Sequence, residues 1–115
     1  MSKLKIINWL LPTVLLFGWM VGGCSQKPQH TPIRVKVTLQ QMQFTPSEIH
    51  VHVGDTVVFI NKGIVIHDVT EENEKAWTSG PIPVGESFER VVQEDVKYYC
   101  SLHPVMKGKI ITIRQ

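Results

Sequence analysis

The chain has 115 residues, of which 43% are hydrophobic and 19% charged. These proportions are typical of one packed domain and exclude both a wholly disordered chain and a large multidomain enzyme. The 12 basic and 10 acidic side chains give a net charge of +2, and the charges balance at ten each once Lys3 and Lys5 in the N-terminal leader are set aside. A neutral chain without a basic block argues against nucleic acid and acidic lipid surfaces as partners.

Residues 1–23 have the pattern of a secretory signal peptide. A short basic start is followed by the mostly apolar run 6–21, which ends in small residues. A retained transmembrane helix is the alternative. The run has only 16 residues and is interrupted by Asn8 and Pro12, whereas a membrane span takes about 20.

The sequence Val21-Gly22-Gly23-Cys24 resembles the lipobox of bacterial lipoproteins. The resemblance implies that Cys24 is lipidated, becomes the N-terminus and anchors the protein on the periplasmic side of the inner or the outer membrane. Ordinary secretion with Cys24 unmodified is the alternative. Residues 24–32 are polar and contain two prolines, which predicts a flexible tether in which His30 is solvated.

From residue 33 onward, short segments alternate apolar and polar residues or are rich in β-branched residues, and turn residues separate them. We expect seven or eight strands in the domain 33–115, at 33–40, 49–53, 56–60, 66–70, 87–92, 96–100 and 109–114. The segment 71–79 is the only one that could hold a helical turn. The pattern predicts an all-β, Greek-key sandwich or barrel.

Two histidines share the outward face of the predicted strand 49–53. His50 and His52 could bind a metal ion there, but polar residues on the outer face of a strand are usually solvated. We therefore assign them no function from the sequence.

Cys100 is the only free thiol of the mature chain if Cys24 carries lipid, and metal ligation would protect it in an oxidising compartment. It begins the segment Cys100-Ser101-Leu102-His103-Pro104-Val105-Met106, in which a thiolate, an imidazole and a thioether recur every three residues. Pro104 argues against a helix here, and strand-like sequence lies on both sides. We expect a loop whose three donors converge.

His67 is the best candidate for a fourth ligand, because it begins a predicted strand that a sandwich can bring to the same end as Cys100. Two His, one Cys and a weak Met are the ligand set of a blue-copper electron-transfer site. Structural zinc would favour four strong ligands without a thioether. A purely structural role for all four residues is the remaining alternative.

The sequence resembles the cupredoxins, the plastocyanin and amicyanin family, over about residues 33–115. The resemblance rests on Phe44-Thr45-Pro46, on Gly54-Asp55-Thr56-Val57, on His67-Asp68-Val69 and on Tyr99-Cys100-x-x-His103-Pro104-x-Met106. It implies a Greek-key sandwich that binds one copper ion, cycling between Cu+ and Cu2+, through His67, Cys100, His103 and Met106. The spacing C-x-x-H-P-x-M is closest to amicyanin.

Three further residues are expected to surround the ligands. The family usually has Asn after its first histidine ligand, whereas this chain has Asp68, which we expect to accept a hydrogen bond from Ser101 and to favour Cu2+ through its charge. Pro104 has no backbone N–H to donate to the thiolate.

We therefore expect a monomeric electron carrier, not an enzyme, that meets redox protein partners near His103. Leu102, Pro104, Val105, Ile64 and Val65 would form an apolar docking patch around that imidazole. A copper-delivery lipoprotein with the same ligands is the alternative. A cysteine hydrolase using Cys100 and His103 has no evident oxyanion-binding element.

Overall fold

The computed structural model describes residues 16–114. Most of the predicted signal peptide, residues 1–15, therefore lies outside the described residues. Residues 16–33 form no strand, and Cys24 in this segment is exposed. No helix within residues 16–114 has the length and apolar character needed to cross a membrane.

The described residues contain eight strands and no helix. Their bounds are β1 Arg34–Gln40, β2 Gln43–Thr45, β3 Glu48–His52, β4 Thr56–Asn61, β5 Thr70–Glu71, β6 Ser87–Val91, β7 Val96–Tyr99 and β8 Lys107–Ile113. One four-stranded sheet has the order β2-β1-β4-β6 and the other has the order β3-β8-β7-β5. The predicted all-β sandwich is confirmed.

Both sheets are mixed, because the chain repeatedly crosses from one sheet to the other. The pairs β1–β4 and β3–β8 are parallel, whereas the other neighbouring strands are antiparallel. β4 and β7 both finish at the same end of the sandwich, which we call the upper end, and β8 begins there. His52 and Thr56 lie at the opposite, lower end, where His52 is paired with Ile113.

The core lies between the sheets and is built by the inward residues that alternate along each strand. Its centre is aromatic: the ring of Tyr98 makes edge-on contacts with Phe44 and Phe59, at centroid separations of 4.9 and 5.2 Å. Aliphatic side chains surround these rings, among them Val37, Leu39, Val57 and Ile110. Cys100 and Met106 belong to the same buried cluster, so the upper-end loop is packed onto the core.

Three details differ from the sequence prediction. The short strand β2 was not predicted, because its hairpin turn consists of Gln41 and Met42, both at positive φ, and lacks the Asn-Gly signal usual for such turns. The predicted strand 66–70 is reduced to β5, because the N–H groups of Asp68 and Val69 donate to the sulfur of Cys100 and to Ser79 Oγ. In place of a helical turn, the Glu71 carboxylate accepts the N–H groups of Asn73 and Glu74.

Candidate metal centre

The segment that follows β7 forms a tight loop at the upper end. The N–H of His103 donates to the carbonyl of Cys100 at 3.2 Å, and the N–H of Met106 donates to the carbonyl of His103 at 2.9 Å. The N–H of Cys100 in turn donates to the carbonyl of Met106 at 3.1 Å. These three hydrogen bonds bring Cys100, His103 and Met106 toward one another. The spacing of three residues in the sequence could only suggest this.

His67 lies at the upper end as well, on the segment that follows β4. Its backbone pairs with that of Ile82, through N–H···O distances of 3.3 and 2.7 Å. The buried Asn61 side chain stabilises this segment, because its Nδ2 donates to the carbonyls of Val65 and Ile82, both at 2.8 Å. A side chain in the sandwich thus fixes the loop that carries the imidazole.

The three strong donors converge on one point. Nδ1 of His67 and Nδ1 of His103 are 3.1 Å apart. The sulfur of Cys100 lies 3.8 Å from the first nitrogen and 3.7 Å from the second. Met106 is buried at the end of the same loop. The structure therefore brings together residues that are up to 39 positions apart in the sequence.

Burial differs among these residues in a way that matters for chemistry. His67, Cys100 and Met106 are at most 1% exposed, whereas His103 is half-buried. Burial lowers the pKa of His67, and the nearby His103 lowers it further, against an opposing effect of Asp68. The imidazole of His67 is therefore neutral at neutral pH and has a free lone pair for a metal ion.

Asp68 connects the two loops that carry the donors. Its carboxylate accepts hydrogen bonds from the N–H of Ser101 at 2.7 Å, from the Ser101 hydroxyl, and from Thr70 Oγ1 at 3.1 Å. The backbone N–H of Asp68 donates to the sulfur of Cys100 at 3.3 Å. Asp68 therefore positions both the histidine loop and the cysteine loop.

The donors fit copper better than zinc. A thiolate and a thioether suit Cu(I), imidazoles suit both oxidation states, and a Cys, two His and a Met match the ligand set of blue-copper sites. The separations of 3.1 to 3.8 Å between the nitrogen and sulfur atoms leave a centre that one ion can share. A two-sheet β-sandwich with this donor set at one end defines a cupredoxin.

Comparison with known families agrees with the site. Residues 31–113 match the family of copper-binding proteins, plastocyanin/azurin. The chain belongs to this family. It is a type 1 blue-copper electron carrier that binds copper, not an enzyme, and the comparisons do not favour the copper-delivery alternative.

Two amicyanins are similar to the chain over much of their length. It is 30% identical to amicyanin of Paracoccus denitrificans over 127 aligned positions, which cover 96% of this chain and 97% of that protein. It is 25% identical to amicyanin of Paracoccus versutus over 83 positions, covering 67% of this chain and 63% of that protein.

Solved structures show the same fold. A reduced Cu(I) form of an amicyanin variant superposes with a TM-score of 0.64 at 26% identity, covering 70% of this chain and 82% of that one. A purple cupredoxin from Nitrosopumilus maritimus superposes with a TM-score of 0.63 at 24% identity, covering 69% of this chain and 99% of that one.

One cluster of possible ligands was missed by the sequence analysis. His30, expected to be solvated, instead contacts Asp55, and both lie beside His52 at the lower end. His50 does not join them; it is exposed, near Glu48. Sequence spacing gives no signal for this cluster, since it depends on the path of the segment before β1.

Proposed function

We propose that His67, Cys100, His103 and Met106 hold the single copper ion of this electron carrier. The observation that carries the proposal is the convergence of two imidazole nitrogens and one thiolate sulfur within 3.8 Å of one another. Bound there, copper supplies a one-electron couple between Cu(I) and Cu(II).

The chain's own residues keep this centre rigid. Cys100 is fixed by the core and by the Asp68 N–H, and His67 by its pairing with Ile82. Donors that are held in place by the fold move little when the charge of the site changes, which keeps the reorganisation small. Asp68, Ser101 and Pro104 tune the sulfur and the loop around it.

A visible spectrum tests the ligand assignment. After addition of Cu2+ the protein should show an intense thiolate-to-copper band, and Cys100→Ser should abolish it. Cys24→Ser is the matched control, because it removes the other, exposed cysteine and should leave the band unchanged. A band that persists in Cys100→Ser would overturn the assignment.

Electrons are proposed to pass through His103 to a redox protein that docks on the upper end. His103 is half-buried, between the buried donors and the solvent. The apolar docking patch around it consists of exposed residues: Leu102, Pro104, Val105, Ile64 and Val65. A monomer with such a patch is suited to brief encounters governed by apolar contact.

The proposed location is the periplasmic side of a membrane. In this proposal residues 1–23 are removed, Cys24 is lipidated, 24–32 form the tether and 33–115 form the copper domain. The exposure of Cys24 and the absence of strands over 16–33 support it. Mass spectrometry of the protein extracted from membranes should show a chain that begins at Cys24 and carries acyl groups; a chain with an unmodified Cys24, or one that retains residues 1–23, would argue against the lipid anchor.

A further inference from the structure

Three potential ligands converge at the lower end of the sandwich, far from the copper ligands. Nε2 of His30 lies 2.6 Å from Oδ1 of Asp55, and Nδ1 of His52 lies 4.0 Å from Oδ2 of the same carboxylate. The two imidazole rings stack with their centroids 3.9 Å apart. One donor atom from each residue lies within 4.8 Å of the other two.

Asp55 provides a buried negative charge. Its side chain is 1% exposed, and its oxygens accept the N–H groups of Ile33 and His52, both at 2.9 Å. Burial alone would raise the pKa of Asp55, but the hydrogen bonds from Ile33, His30 and His52 lower it to about 2. The carboxylate is therefore ionised at neutral pH, and a buried anion of this kind favours a cation beside it.

The cluster is accessible from outside. His30 and His52 line an open cavity of about 530 Å³, and their side chains are 21% and 27% exposed. Arg114 also lines the cavity, and its positive charge helps to lower the pKa of Asp95. An ion can reach the two imidazoles, and the cavity has room for a water ligand.

The side chains must move to accept an ion, because the imidazole rings of His30 and His52 are now stacked and have to tilt before both can point a nitrogen at it. Ligand atoms about 2.0–2.2 Å from a tetrahedral Zn²⁺ ion lie roughly 3.4 Å apart, so Nε2 of His30 and Oδ1 of Asp55, now 2.6 Å apart, must separate by about 0.8 Å as the proton between them is released. His30 precedes the first strand and is free of ladder pairing, which allows this movement. The backbone hydrogen bonds of Asp55 can remain, because a carboxylate has about four acceptor positions.

We propose that His30, His52 and Asp55 form a second metal site, for a divalent transition-metal ion such as Zn²⁺. Two imidazoles, a carboxylate and a water are a familiar ligand set for that ion. The metal would fasten the segment before β1 to the lower end of the sandwich. The proposal does not depend on which residues bind copper.

Calorimetric titration of the copper-loaded protein with Zn²⁺ tests the proposal, since copper already occupies the upper site. We expect one Zn²⁺ per chain, with the affinity reduced at least about tenfold in His30→Gln and in His52→Gln. His50→Gln is the matched control, because it changes an exposed histidine on the same strand as His52 and should bind Zn²⁺ as the parent does.

The visible spectrum of each variant should match that of the parent, which establishes that the variant is folded and copper-loaded. Absence of Zn²⁺ uptake by the parent would overturn the second site and leave a hydrogen-bonded histidine–aspartate contact. Equal affinity in His30→Gln, His52→Gln and the parent would overturn it as well, because the ion would then be bound elsewhere on the surface.

Discussion

At the scale of single residues, the sulfur of Cys100 is the group whose surroundings matter most. It is fully buried and accepts the N–H of Asp68 at 3.3 Å. The residue after His103 is Pro104, which has no N–H to offer a second hydrogen bond. A thiolate with fewer hydrogen bonds keeps more of its electron density and stabilises Cu(II), which lowers the reduction potential.

Replacing Pro104 with Ala should therefore raise the reduction potential, because the new N–H can donate to the sulfur. Potentiometric titration of the copper protein measures the effect. The control is Val105→Ala, an exposed neighbour in the same loop that adds no donor. A lower potential in Pro104→Ala would contradict this explanation.

At the scale of elements, the packing of β7 against β8 depends on a missing side chain. Gly108 lies opposite Tyr98 in this pair, and a Cβ at Gly108 would lie 2.5 Å from the ring of Tyr98. The ring fills the centre of the core, and its burial raises the pKa of the phenol. Tyr98 therefore cannot move aside without disturbing Phe44 and Phe59, which it contacts.

We expect Gly108→Ala to lower the free energy of unfolding by about 1–3 kcal/mol, the usual range for an overpacked core. Urea unfolding measures the change. Lys109→Ala, an exposed substitution at the next position of β8, should change it by less than about 0.5 kcal/mol. If Gly108→Ala has the same free energy of unfolding as the parent, β7 and β8 can move apart without loss of stability, which would contradict this explanation.

The elements also show what the sequence can and cannot predict. Strands β1, β3 and β4 were predictable, because alternation and the Gly54-Asp55 turn are local signals. The hairpin before β2 was not, since Gln41 and Met42 adopt positive φ without the residues that usually favour it.

The proximity of the residues in the candidate copper site could be anticipated for a similar reason. Three of its proposed ligands lie within seven residues, and their chemical types are unusual together. The contact of His30 with Asp55 was not predictable, because it joins residues 25 positions apart through a segment without periodicity.

At the scale of the whole molecule, the net charge is small, whereas exposed apolar side chains are concentrated at the upper end. Under the proposed removal of residues 1–23, the basic and acidic residues balance at ten each, so long-range attraction would not steer a partner strongly. The upper end instead exposes apolar side chains, with Ile64 94% and Val105 78% exposed. Encounters at this end are expected to depend on apolar contact.

Electron self-exchange between two copies, measured by NMR line broadening, tests this view. Its rate should change less than about threefold between about 0.05 and 0.5 M salt. Val105→Asp should slow the exchange at least about tenfold, because it brings two like charges together at the contact. Val53→Asp is the control, since Val53 is an exposed apolar residue at the lower end and should leave the rate unchanged. A steep salt dependence in the parent would contradict an apolar encounter.

The chain enters the sandwich at the lower end, where the N–H of Ile33 is bound to Asp55. Under the proposed anchor, the nine residues 24–32 reach at most about 30 Å from the bilayer, so the domain stays close to it. The imidazole edge of His103 then lies at the end of the sandwich opposite the point of attachment. The carrier would thus exchange electrons with proteins that approach from the aqueous space, while the tether holds its lower end near the membrane.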